Sequence, residues 1–142
     1  MALWQMRLAQ AALALSGIVG VYFLAQVLFT REACYGVAAI NNPCESLTAG
    51  SFIRLIFVVG IMALLFAGAW GSARAQQTTP IADNRFTFLM SMIFCTVILV
   101  GVTLSALGGP GFYYLPATLA LVVATILGGV DLWQRERTQH AK

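Results

Sequence analysis

The chain has 142 residues, 60% of them hydrophobic and only 9% charged, with a mean hydropathy of +0.85. Soluble domains carry roughly 25% charged residues, and a core of this length cannot hide so much apolar surface, so the composition lies far outside the soluble class. The formal net charge of +3 does not indicate a nucleic-acid partner, because the eight Lys and Arg residues are scattered singly at the ends of apolar runs.

Taken in chain order, the first apolar run extends from about Leu8 to Phe29, long enough to cross roughly 30 Å of hydrocarbon at about 1.5 Å per helical residue. Arg7 before an apolar run is also how a secretory signal begins. This run exceeds a signal's apolar region, however, and Thr30-Arg31-Glu32-Ala33-Cys34 offers no small-x-small cleavage site. An uncleaved span is expected. Next comes the segment CYGVAAINNPC, with nine residues between Cys34 and Cys44. Asn41-Asn42-Pro43 favours a turn, since Asn tolerates left-handed dihedrals and Pro fixes its φ. The spacing matches neither a C-x-x-C redox pair nor a zinc knuckle, which leaves a structural disulfide between Cys34 and Cys44 as the expected role.

The second run covers about Phe52 to Trp70, with Arg54 one turn inside it and able to snorkel to the interface. The stretch 72–85, with Pro80 at its centre, is expected as a solvated loop. Phe86 to Leu107 forms the third run, capped by Asn84 or Thr87, with Cys95 mid-span as a small hydrophobe. After the turn GGPGFYYLP, the fourth run covers Leu115 to Trp133, with Pro116 expected in the first helical turn and Asp131 paired to Arg135 at its end.

Direction follows from the basic residues. Arg7, Arg74, Arg85, Arg135, Arg137 and Lys142 fall on one side and Arg31 and Arg54 on the other, which puts the first group in the cytoplasm. Trp4, Trp70 and Trp133 mark the same boundary, while Phe112, Tyr113 and Tyr114 mark the opposite one. The expected fold is an all-α integral membrane protein: one domain, 1–142, forming an antiparallel four-transmembrane-helix bundle. Its spans are 8–29, 52–70, 86–107 and 115–133, both termini are cytoplasmic, the 31–51 loop is outside, and the bilayer is the cell membrane.

Small residues recur every fourth position in each run: Ala12, Ser16 and Gly20; Ala63, Ala67 and Gly71; Gly101, Ser105 and Gly109; Ala120, Ala124 and Gly128. Such stripes let helix backbones approach closely, within the bundle or against a partner. Gln10, Tyr22, Gln26, Thr96 and Thr103 are the polar side chains expected to bond between helices.

No catalytic residue, metal site or cofactor is expected. His140 lies in the tail, outside every span, so no histidine is placed to hold a haem within the membrane. No acidic pair lies within a span, and Ser16, Ser91 and Ser105 have no neighbouring base. The chain carries no phosphate-binding, dinucleotide, zincin or N-glycosylation motif. It also lacks the W-x-x-W or GLW motif and the long first loop of claudin-like proteins, and the membrane-buried acid of small multidrug transporters. What remains is a non-catalytic accessory, structural or assembly subunit, whose partners are the lipid bilayer and other membrane subunits or copies of itself. The alternatives are a small carrier or channel for an uncharged or lipophilic compound and, behind it, a thiol-redox or other membrane enzyme.

If Cys34 and Cys44 form a staple, Cys34→Ser lowers thermal stability by about 2–3 kcal/mol without altering topology. A melting temperature that matches the wild type under non-reducing conditions removes the staple.

Overall fold

The computed structural model describes residues 2–36, 49–105 and 111–141, with side chains placed for 2–26, 53, 55–105 and 111–141. It contains four α-helices: α1 (Ala2–Gly36), α2 (Ala49–Thr78), α3 (Ala82–Ser105) and α4 (Gly111–His140). Each holds a stretch long and apolar enough to cross a membrane, and there is no strand among the described residues. Helices follow from the apolar runs because hydrocarbon offers no partner for peptide N–H and C=O groups, which must therefore bond within the segment.

The helices run beyond the apolar stretches. The expected loop 72–85 is mostly helical: α2 continues to Thr78 and α3 begins at Ala82, leaving residues 79–81 as the connection. Ala73, Arg74, Ala75, Gln76 and Gln77 are good helix formers, and the chain leaves the helix only as Pro80 approaches. The turn is pinned by the Thr79 N–H donating to the Ala75 carbonyl (3.1 Å) and by Arg85 Nε donating to the Thr79 carbonyl. Asn84 and Thr87 consequently sit inside α3 instead of capping it, and Thr87 Oγ1 donates to the Asp83 carbonyl at 3.1 Å. Pro116 also lies deeper than expected, since α4 starts five residues before it. Its missing N–H leaves the Phe112 carbonyl without its intrahelical donor, a local cost close to the helix start. The third stripe's Gly109 and the rest of 106–110 lie outside the described residues.

The helices form a ring in which α1 packs on α2, α2 on α3, α3 on α4 and α4 back on α1, with little contact across the α2–α4 diagonal. Each turns one narrow stripe inward. In α1 this is Gln5, Ala9, Ala12, Ser16 and Gly20; in α2, Met62, Phe66, Ala69, Ala73 and Gln76. In α3 it is Leu89, Met92, Thr96, Leu99 and Thr103, and in α4 Tyr114, Ala117, Leu121, Ala124 and Gly128. Phe66, Met92, Leu99 and Leu121 fill the centre. No more than 28% of any helix's apolar window is buried inside, and side chains such as Leu64, Phe94 and Val21 stand fully outward. Such an exterior suits hydrocarbon and not water.

The small-residue stripes divide. Those of α1 and α4 face inward: Ala12, Ser16, Gly20, Ala124 and Gly128 are buried, with Ala120 packed beside them. Those of α2 and α3 do not. Ala63, Ala67, Gly71, Gly101 and Ser105 are all exposed, because larger side chains on the other face of each helix fill the interior.

Gly20 marks the closest approach of α1 to its neighbours. A Cβ there would stand 2.8 Å from Val59 Cγ1 on α2, and 3.8 Å from the Tyr114 hydroxyl on α4. Valine has almost no rotamer freedom in a helix, so the backbones themselves must part. Gly20→Ala should therefore destabilise the bundle by about 1–3 kcal/mol, while Gly17→Ala, whose Cβ meets nothing within 4 Å, should not. Denaturation in mixed micelles checks the pair, and equal stability of both variants contradicts this packing.

Candidate functional site

The most polar place inside the bundle lies at the end carrying Trp4 and the inner turn. Gln5 on α1 and Gln76 on α2 are buried to 1% and 5% exposure. Gln5 Nε2 donates to Gln76 Oε1 (3.1 Å) and to the Met92 sulfur on α3 (3.6 Å), and Gln76 Nε2 donates to the Gly128 carbonyl on α4 (3.2 Å). One junction thus joins all four helices. Gly128 is required beside it, because a Cβ at that position would run into the Gln5 carboxamide. Gln77 Nε2 adds a bond to the Ala2 carbonyl at the start of α1. Carboxamides neither gain nor lose protons near neutral pH, so the junction orients and fastens without offering acid–base chemistry.

Hydroxyl pairs fasten α3 to its neighbours. Thr96 meets Thr125 at 3.0 Å and Thr103 meets Thr118 at 3.0 Å, both between α3 and α4, while Ser72 on α2 donates to Ser91 on α3 at 3.2 Å. Each threonine also reaches the carbonyl four residues before it, at 2.7–3.0 Å. Two protons then serve three short contacts in each pair, so no donor is left for a ligand, and only lone pairs remain.

A groove of about 300 Å³ opens sideways between α3 and α4, lined by Ile93, Thr96, Val97, Val100, Val122, Thr125 and Ile126. Its walls are β-branched and apolar, with the Thr96–Thr125 pair as its polar floor. At the far end of the bundle Phe23 packs edge-on against Tyr113 and stacks with Tyr114. Among the described residues, the buried Tyr114 hydroxyl finds no hydrogen-bond partner, nor does the Trp70 indole N–H.

Of the polar side chains expected between helices, Thr96 and Thr103 take that role. Gln10 is exposed, and Gln26 donates to the Tyr22 hydroxyl within α1 (3.0 Å), because both face away from the α1 stripe. Cys95 packs its sulfur against the bare backbone of Gly68, where a Cβ would lie 3.6 Å away, as a small hydrophobe does. Asp131 and Arg135 pair at 2.9 Å, and His140 is exposed in the last turn of α4. The expected Cys34–Cys44 disulfide lies outside the described residues. Among the described residues, no three His, Cys, Asp or Glu side chains converge as metal ligands. The junction glutamines were missed because both fall outside the apolar runs. The signal was there in the spacing of Gln5, Ala9, Ala12, Ser16 and Gly20, which continues the α1 stripe to the first turn.

Gln5→Met, close in shape, leaves the Gln76 oxygen buried without its donor and should cost about 1–3 kcal/mol. The double variant Gln5→Met, Gln76→Met should cost less than the two singles summed. Strict additivity in a micellar denaturation cycle argues against a coupled junction. No known protein family, curated protein or solved structure matches the chain.

Proposed function

We propose that this chain is a multi-pass protein of the cell membrane that acts as a non-catalytic accessory, structural or assembly subunit of a larger membrane complex. The observation that carries the reading is the outward small-residue face of α2. Gly60, Ala63, Ala67 and Gly71 are exposed in a row, and a Cβ at Gly60 or Gly71 would meet nothing within 4 Å. In lipid, a row of small residues lets a further helix approach closely, and Leu64, 73% exposed beside the row, is the large side chain that such a helix packs around. Meanwhile the space between the four helices is occupied by Phe66, Met92, Leu99 and Leu121, which favours a subunit over a carrier.

Both termini are cytoplasmic in this reading, with the 31–51 segment, whose ends 31–36 and 49–51 belong to α1 and α2, outside and braced by Cys34 and Cys44. Its support is that Arg7, Arg74, Arg85, Arg135 and Arg137 gather at the same end as Trp4, Trp70 and Trp133.

Purification from native membranes in a mild detergent, followed by mass spectrometry, should recover a stoichiometric membrane partner. Ala67→Leu with Gly71→Leu should lose that partner while the isolated bundle melts as before. A lone chain carrying a bound small molecule would instead favour the carrier.

A further inference from the structure

The face of α4 that lines the groove between α3 and α4 runs on past it toward the end of the bundle that carries the tryptophans. From Val122 and Ile126 that face passes Gly129, Trp133 and Arg137, each three or four residues after the last. Beside Gly129 there is open space, since a Cβ there would meet nothing within 4 Å. At its end the Arg137 guanidinium lies over the Trp133 ring, 3.9 Å from the centroid. One face of α4 thus carries an apolar groove at mid-depth and a fixed cation near its end.

The depths match a lipid. α4 has 30 residues, about 45 Å at about 1.5 Å each, which exceeds the roughly 30 Å hydrocarbon core and carries its last turns into the headgroup region. Arg137 stands eleven residues, about 16 Å, beyond Ile126, within the reach of one acyl chain and its glycerol. The chemistry selects further. The groove floor offers no free hydroxyl proton and its walls are almost wholly apolar, which suits a hydrocarbon chain. Its walls are Val and Ile instead of Gly and Ala, which denies a helix backbone the close approach it has on α2.

Charge at the rim is also uneven. Arg135 is neutralised by Asp131, whereas among the described residues no carboxylate pairs with Arg137. The register set by Thr96–Thr125 and Thr103–Thr118 brings the first turn of α3, with Asp83, Asn84 and Arg85, level with Arg137; Arg85 is engaged by the Thr79 carbonyl, and Glu136 precedes Arg137 on α4 itself. Neither acid pairs with Arg137. Stacking on an indole holds a guanidinium in place with its N–H edges free for a phosphate.

We propose that this groove and the α4 face beyond it are a binding site for one anionic phospholipid of the leaflet at the Trp133 end, with an acyl chain between Val97 and Val122 and its phosphate on Arg137. The site rests on the membrane-spanning part of the reading above, and not on the accessory role.

Carbonate extraction of membranes tests that foundation first: release of the chain into the wash would overturn the membrane reading and the site together. The full chain in detergent micelles is then titrated with phosphatidylglycerol and with phosphatidylcholine of the same acyl composition, and bound lipid is counted by native mass spectrometry. One phosphatidylglycerol should bind roughly fivefold tighter than phosphatidylcholine, the factor that a single basic residue contributes at an anionic surface. Arg137→Gln should abolish that preference, while Arg135→Gln keeps it. Val122→Trp, which fills the groove, should weaken both lipids, with Val97→Trp on the opposite wall as the second variant should the first not fold. Equal binding of the two lipids, an undiminished preference in Arg137→Gln, or full binding to both filled grooves overturns the site.

Discussion

Lipid tails are as apolar as leucine, so in a bilayer hydrophobic burial would give four helices this apolar no reason to associate, and everything else in the bundle depends on that constraint. What replaces burial is close backbone approach combined with hydrogen bonds that hydrocarbon cannot offer. The Gln5–Gln76 pair, reaching Met92 and the Gly128 carbonyl, supplies the second at one end of the bundle. Gly20, where α1 meets Val59 and Tyr114, supplies the first toward the other. Threonine and serine pairs between α2, α3 and α4 complete the fastening at intermediate depths.

The two pairs of helices solve the packing differently. On α1 and α4 the small residues face each other, and the contact between them is the most extensive in the bundle. On α2 and α3 the interior is taken by Phe66, Met92 and Leu99, so their small residues are turned outward. The bundle thus keeps large side chains at its centre and leaves glycine and alanine on its outside. The same outer surface is not uniform, because the α3/α4 face carries branched walls and a groove where α2 carries a row of small residues.

The ends differ as much as the sides. Tryptophan and arginine gather at one, with guanidinium groups drawn over indole rings at Arg74–Trp70 and Arg137–Trp133. Tyrosine and phenylalanine gather at the other, in a cluster of edge-on and stacked rings joining α1 to the start of α4. An amphipathic ring settles readily at a membrane boundary, and the pairing with arginine ties a mobile cation to a fixed depth.

Four helices, their apolar character and the Asp131–Arg135 pair were legible in the sequence by itself, because each depends on neighbours along the chain: unbroken runs of apolar residues, or an i to i+4 spacing. Thr96 and Thr103 were legible as interhelical bonds for a related reason, being polar side chains deep in a span with nothing local to satisfy them across the helix. Only the tertiary structure decided which face of each helix turned inward. Apolar residues surround every helix, so amphipathic periodicity, the usual guide to a buried face, is nearly absent in this chain. Hence the small-residue stripes of α2 and α3 read like those of α1 and α4, yet point the opposite way. The spacing along α1 puts Gln5 on the inward stripe, but its pairing with Gln76 was decided by the tertiary structure, since the two stand 71 residues apart and meet only once the ring of helices closes.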